Sequence, residues 1–249
     1  MVPLINHKPK RLFAFGCSFT KYVYPTYADL LCFNFDWYQN WGQGGAGNHY
    51  IFNSLVEADQ RHKFNKNDTV VVQWTNTARE DRYLNKSWIG DGNIYTQNTY
   101  DSKWVKQFVT ERGCLVRDMA FIKAAFILLK NSCADFKFIS MVPINKHNEW
   151  LDTESHVNDD IFELYKDVIE QIRPSYYEVI YNKNWSPIMQ HETSTRDSHP
   201  SPNEHLTYIK KILPEFTISE KIIDFAEEQT AKFFAQDPTY FRHKTINRL

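Results

Sequence analysis

The chain has 249 residues, of which 42% are hydrophobic and 24% are charged, so it can build a packed core and wholesale disorder is excluded. Its formal net charge of -1 gives no support to a nucleic-acid partner. No apolar run approaches a membrane span and the first residues lack the apolar stretch of a secretory signal, so we expect a cytoplasmic protein with no membrane partner.

Short apolar runs alternate along the chain with segments of helical spacing. Five runs are predicted strands: RLFAF (11–15), FDWYQNW (35–41), TVVVQW (69–74), FKFISMV (136–142) and YYEVIY (176–181). Four segments are predicted amphipathic helices: 46–61, 116–132, 159–173 and 218–234. Continuous apolar strands are typical of a parallel sheet that is covered on both faces.

This alternation predicts a single domain over residues 1–249, of the α/β class. It is expected to be a three-layer α/β/α sandwich with a mostly parallel, five-stranded sheet. Residues 77–113 are polar, aromatic and short of periodicity, which predicts an irregular insertion that acts as a lid or substrate-binding loop, or is merely mobile. Residues 214–249 are expected to form a helical C-terminal extension.

Polar residues follow the predicted strands, and ligands of an open parallel sheet bind at the carboxyl ends of its strands. The first strand leads into Gly16-Cys17-Ser18, the second into the glycine-rich run NWGQGGAGN (40–48), and the third into Asn76. A further polar segment, RDSHPSPNEH, occupies 196–205. Each segment alone has an ordinary explanation as a helix cap or turn, and the glycine run matches no phosphate-loop pattern.

Together, these segments supply the groups that hydrolyse an ester. Such a reaction needs a nucleophile, a base and an acid that orients the base, and we assign these roles to Ser18, His199 and Asp197. It also needs neutral donors for the oxyanion, which the N–H groups of Ser18 and Gly45 and the amide of Asn76 would supply. A glycine at position 45 would let the backbone approach the substrate without a Cβ atom.

The motifs FAFGCSFT, NWGQGGAGN, VQWTN and DSHP resemble, in order, the four signature blocks of the SGNH (GDSL-type) hydrolases. The resemblance covers about residues 12–213 and implies a flavodoxin-like fold. It implies the same five site residues and the hydrolysis of acyl esters of carbohydrates or lipids, without a metal or organic cofactor. The GCSFT and DxHPS variants resemble SGNH-like proteins encoded by bacteriophages, which adds a virion component to the expected locations.

The sequence departs from the family pattern at three points. Cys17 replaces the usual aspartate, the third block keeps only Asn76, and Asp197 and His199 stand two residues apart instead of three. A Ser-His dyad therefore stays open as an alternative to the triad. Cys17 is the competing nucleophile, although its neighbouring position points it into the core.

We predict a serine esterase that removes acyl groups, O-acetyl in particular, from a carbohydrate or other small ester, with no cofactor or metal. Trp74 and Arg79 are expected to contact substrate, Arg79 through an anionic group, and an ion pair with Glu80 or near Asp81 is the alternative for Arg79. Two other functions stay open. One is an O-acyltransferase, and the other is a catalytically inactive glycan-binding or virion structural protein.

Overall fold

The computed structural model describes residues 9–95, 100–144, 159–182 and 199–234. Its main sheet consists of β1 (Arg11–Phe15), β2 (Trp37–Asn40), β3 (Asp68–Trp74) and β6 (Asp135–Ser140). These strands are all parallel and lie in the order β2-β1-β3-β6. A separate antiparallel hairpin pairs β4 (Arg79–Leu84) with β5 (Ser87–Asn93).

The helices connect the strands and follow the last of them. They are α1 (Tyr27–Leu31), α2 (Asn48–His62), α3 (Ser102–Phe108), α4 (Glu111–Ser132), α5 (Asp159–Leu164), α6 (Lys166–Ile169), α7 (Tyr176–Val179), α8 (Pro202–Ile212) and α9 (Glu220–Phe234). The longest, α4, begins after Thr110, whose hydroxyl accepts a hydrogen bond from the Gly113 N–H at 3.0 Å. It ends at Cys133, which takes the left-handed conformation of a helix C-terminus.

Helices cover both faces of the main sheet. Successive side chains of a strand point to opposite faces, and in β1 Leu12 and Ala14 pack with α1, α8 and α9, whereas Phe13 and Phe15 pack with α2 and α4. All four side chains are buried. The predicted three-layer α/β/α sandwich is therefore confirmed.

The predicted fifth strand at 176–181 is wrong, because this segment begins with helix α7. Ser175 and Glu178 form a capping box, in which the Glu178 carboxylate accepts from the Ser175 N–H at 2.9 Å. Beyond β6, the described residues continue the sheet only through an isolated parallel bridge between Phe138 and Ile172. A short apolar run fits a buried strand and a buried helical turn equally well, so its pattern did not distinguish the two.

The segment at 77–113, expected to be irregular, contains the β4–β5 hairpin, α3 and the start of α4. The hairpin turns at Asn85 and Lys86, whose φ angles of 52° and 65° both lie in the left-handed region. A two-residue turn of this kind matches the twist of antiparallel strands. The Asn-Lys pair lacks the glycine that usually marks such turns, so the sequence signal was weak. The role of the segment as a lid stays a prediction.

The chain from Glu220 onward forms α9, as the sequence predicted, and buries Ile222 and Ala226 against the core. Residues 235–249 of the predicted extension lie outside the described residues. Within the ranges that the structure describes, no helix combines the length and apolar content that a membrane crossing requires.

Candidate active site

The loops that follow β1, β2 and β3 are joined at the carboxyl edge of the sheet. The Gln43 N–H donates to the Gly16 carbonyl at 3.1 Å, which joins the loops after β2 and β1. Asn48 joins the loops after β2 and β3, because its Oδ1 accepts from the Thr75 N–H at 2.9 Å and its Nδ2 donates to the Thr75 carbonyl at 3.0 Å. Each loop carries one of the predicted oxyanion-hole residues: Ser18, Gly45 and Asn76.

Ser18 lies three residues beyond β1 and is 7% exposed. The turn around it closes through the Cys17 carbonyl, which accepts from the N–H groups of Thr20 at 2.9 Å and Lys21 at 3.1 Å. In the part of the chain that the structure describes, neither the N–H nor the Oγ of Ser18 makes a hydrogen bond. The turn therefore leaves both the hydroxyl and the N–H of Ser18 available to a ligand.

Gln73, a polar residue inside β3, anchors the Ser18 loop to the sheet. Its Oε1 accepts from Thr20 Oγ1 at 2.9 Å and from Cys17 Sγ at 3.6 Å. A Cβ atom at Gly16 would lie 2.0 Å from Thr20 Oγ1 and 2.7 Å from Gln73 Oε1, so only glycine fits at that position. Gln73 was not predicted as a functional residue, and its mark in the sequence is an amide that follows three valines in β3.

His199 lies against the Ser18 loop. Its ring stacks on Tyr22 with a centroid separation of 3.9 Å, and the Phe19 ring meets it edge-on at 5.5 Å. Helix α8 begins just after, with a capping box between Ser201 and Glu204. The structure thus brings the predicted base to the loop of the predicted nucleophile. Asp197 lies outside the described residues, so its role stays a prediction.

Gly45 and Asn76 are held by the segments next to them. Gly45 has a φ of +73°, and its carbonyl accepts from the Gly92 N–H of β5 at 3.1 Å. The Oδ1 of Asn76 accepts from the Ala78 N–H at 2.6 Å, which assigns the Nδ2 end of the amide as the free end. This Nδ2 and the Gly45 N–H have no acceptor among the described residues, so both are neutral donors available to a ligand.

A buried network that the sequence analysis missed holds these two donor loops together. Asn48, which bonds to Thr75, also donates from Nδ2 to Asp118 Oδ2 at 2.7 Å. Arg117 donates from Nε to Asp118 Oδ1 at 2.8 Å and from Nη2 to the Thr77 carbonyl at 3.2 Å. Burial raises the pKa of Asp118 to about 7, although Arg117 acts in the opposite direction. In the sequence, this network is indicated by Asp118, a carboxylate among the apolar residues of α4.

The two residues expected to contact substrate lie in different environments. Trp74 is fully buried and packs against Phe138 at a centroid distance of 5.5 Å, so its ring has no exposed face for a ligand. Arg79 lies at the carboxyl edge, where its Nη1 donates to the Ala46 carbonyl at 3.0 Å. Among the described residues, Arg79 does not form the alternative contact, an ion pair with Glu80 or near Asp81.

His205 lies one turn into α8 and is buried. Its Nδ1 and the Tyr176 hydroxyl form a hydrogen bond of 2.8 Å. Burial, and secondarily the charge of His199, lowers the pKa of His205 to about 3. The ring therefore stays neutral and braces the segment that carries His199.

We expect His205 to make the protein less stable in mild acid. In the unfolded chain, the His205 imidazole takes up a proton near pH 6.5, whereas in the folded chain it does so only near its lowered pKa of about 3. The free energy of unfolding is therefore highest above pH 6.5 and falls as the pH drops towards that lowered pKa. Urea unfolding of wild type and His205→Asn measures the effect. Between pH 7 and pH 5, the free energy of unfolding of wild type is expected to fall by about 2 kcal/mol more than that of the variant. Equal losses in the two proteins would contradict this assignment.

No family model and no curated protein matches the chain. Among solved structures, it is similar to a member of the lipolytic G-D-S-L family from Veillonella parvula, with a TM-score of 0.43, 13% identity and coverage of 81% of this chain and 94% of that chain. It is also similar to a GDSL-like lipase from Bacteroides thetaiotaomicron (TM-score 0.40, 14% identity, 83% and 86% coverage). The psychrotrophic esterase EstA from Pseudoalteromonas gives a TM-score of 0.41, 11% identity, and 91% and 99% coverage.

Proposed function

We propose that this protein is a serine ester hydrolase with Ser18 as its nucleophile. The observation that carries the proposal is the position of His199, whose ring contacts Phe19 and Tyr22 on the same loop as Ser18. The unengaged Ser18 hydroxyl and the free donors of the neighbouring loops supply the other parts that acyl transfer needs.

The proposed mechanism uses these groups in sequence. His199 takes the proton of Ser18 Oγ as that oxygen attacks the ester carbonyl, and the oxyanion accepts hydrogen bonds from the N–H groups of Ser18 and Gly45 and from Asn76 Nδ2. The alcohol leaves with the proton from His199. Water, activated by the same imidazole, then releases the acid from Ser18. Asp197 is the proposed orienting acid.

We further propose a carbohydrate as the alcohol part of the substrate, and its acetyl ester as the group cleaved. The support is an aromatic ladder that begins at Tyr100, two residues before α3, and continues on α3: the Tyr100 and Trp104 rings stack at 5.5 Å, and the Trp104 and Phe108 ring centroids are 5.7 Å apart. Trp104 is 37% exposed and Phe108 62% exposed. Aromatic faces of this kind suit contact with sugar rings, and the same ladder favours glycan binding without catalysis as the second candidate function.

Labelling with a fluorophosphonate probe, followed by peptide mass spectrometry, tests the proposal without knowledge of the substrate. We expect an adduct on Ser18 in wild type that is absent in His199→Ala, because the alanine variant has no base to activate the hydroxyl. Folded wild-type protein that forms no adduct would exclude the hydrolase and favour the glycan-binding protein. Acetate release from O-acetylated glycans, compared with release from 4-nitrophenyl acetate, tests the carbohydrate part.

A further inference from the structure

Arg79 is the exception among the described arginines, because it has no carboxylate partner among the described residues. The others form ion pairs: Arg11 with Asp68, Arg61 with Glu57, Arg82 with Glu80, Arg112 with Asp160, Arg117 with Asp118 and Arg173 with Glu215. The Arg79 guanidinium instead contacts neutral acceptors, the Ala46 carbonyl at 3.0 Å and Met141 Sδ at 3.5 Å.

These contacts place the Arg79 guanidinium at the carboxyl edge of the sheet, against the residue that follows Gly45. Ala46 directly follows Gly45 in the loop after β2, and Met141 directly follows β6, where its N–H donates to the Trp74 carbonyl at 2.8 Å. The guanidinium therefore bridges the loops after β2 and β6 across the carboxyl end of β3. This is the edge at which Asn76 and Ser18 lie.

The charge of Arg79 is partly buried and forms no ion pair with the described residues. Removing a cation from water is unfavourable unless an anion pairs with it. The two neutral contacts use two of the five N–H donors of the guanidinium and fix its position, which leaves the remaining donors for another partner. The planar fork of an arginine matches the oxygens of a carboxylate or phosphate better than any neutral group.

We propose that Arg79 binds an anionic group of the ester substrate, a carboxylate or a phosphate, next to the scissile carbonyl. The enzyme then prefers acidic esters to neutral esters of the same shape. This inference rests on the proposed function, since it assigns the substrate class of the same site. In the proposed acetyl ester the anionic group lies on the alcohol part, and the test also measures an acyl-side carboxylate as the alternative position.

The test compares matched pairs of esters with wild type, Arg79→Gln and a control, Arg82→Gln. Phenyl acetate and 3-acetoxybenzoate differ by a carboxylate on the alcohol side, and phenyl butyrate and monophenyl succinate differ by a carboxylate on the acyl side. Arg82 is on the same strand and pairs with Glu80 at 2.7 Å, so its variant removes an equal charge that already has a partner. Thermal unfolding confirms that each variant is folded.

We expect wild type to have a higher kcat/KM for the acidic ester of at least one pair. Arg79→Gln should lower kcat/KM for that acidic ester about 10- to 100-fold more than for its neutral partner, as expected for a lost charge-assisted hydrogen bond. Arg82→Gln should keep the wild-type preference. Equal kcat/KM values for both esters in both pairs, or a preference that Arg79→Gln retains, would overturn the inference.

A binding measurement separates this inference from the proposed function. Calorimetric titration of 3-acetoxybenzoate and of succinate into Ser18→Ala protein is expected to show binding of at least one anion, and Arg79→Gln in the same background is expected to abolish it. Anion binding that depends on Arg79 supports the anion site even if no ester is hydrolysed and no Ser18 adduct forms. Ser18 labelling with no Arg79-dependent binding supports the hydrolase and overturns the anion site.

Discussion

Replacing Ser18 with alanine is expected to lower kcat for ester hydrolysis by about 10⁴-fold or more and to leave the thermal stability nearly unchanged. The Ser18 hydroxyl is the proposed nucleophile. The residual rate without it comes from substrate binding and from the oxyanion donors. Because Ser18 Oγ makes no hydrogen bond among the described residues, its loss should disturb no folded contact. Initial rates with 4-nitrophenyl acetate and a melting curve measure the two quantities.

Cys17 provides the matched control for this prediction. It is the neighbouring residue and a competing nucleophile, but its thiol is fully buried and donates to Gln73 Oε1. Cys17→Ser keeps a donor at that place and should retain activity within about tenfold. A Ser18→Ala variant with wild-type turnover, together with an inactive Cys17→Ser variant, would transfer the nucleophile to Cys17.

Replacing Gly45 with alanine is expected to lower both stability and activity. An alanine Cβ would lie 2.4 Å from the Gly90 carbonyl oxygen, and the φ of +73° is unfavourable for any residue with a side chain. We expect a stability loss of about 1–3 kcal/mol. Because the loop must move to relieve the clash, its N–H leaves the oxyanion hole, and kcat should fall by about 100-fold or more.

Gly44 is the control for the Gly45 variant, since it lies one residue earlier in the same turn. A Cβ atom there would meet nothing within 4 Å. Gly44→Ala should therefore change stability by less than about 0.5 kcal/mol and leave kcat close to wild type. Denaturant titrations and kinetics of the two variants test both effects. Equal behaviour of the two alanine variants would show that the Gly45 conformation does not matter for the proposed reaction.

The sequence predicted the layers of the fold better than the edges of its sheet. Strands β1 and β3 contain continuous apolar runs, 12–15 and 70–72, because both of their faces are covered, and helices α2 and α4 show a clear apolar stripe. The segment at 176–181 is also apolar, but its buried tyrosines pack from a helical turn. Composition alone does not distinguish these two cases.

Four residues named from the sequence, Ser18, Gly45, Asn76 and His199, lie in or against the loops at the carboxyl edge of the sheet, and their roles stay predictions. The supports of this candidate site were not predicted, because Gln73, Asn48 and Asp118 act through contacts with residues far away in the chain. Asn48 and Asp118 are 70 positions apart, and no local pattern indicates that an amide and a carboxylate so distant will meet. Such pairs depend on the packing of α2 against α4, which only the folded structure defines.

The β4–β5 hairpin has a root, at Asp81 and Gly90, that contacts the loop after β2, and a tip, residues 83–87, that is exposed. At the root, Gly90 occupies the space beside Gly45, and Asp81 accepts from the Gly47 N–H at 2.7 Å. At the tip, Leu84, Asn85 and Lys86 are exposed, whereas Trp88, nearer the root, accepts a hydrogen bond on its carbonyl from Gln43 Nε2 at 3.2 Å. Substitutions or insertions at the exposed turn of Asn85 and Lys86 are therefore expected to leave the contacts at the root in place. In the proposed esterase, such an arrangement separates a variable periphery from the loops that carry Ser18, Gly45 and Asn76.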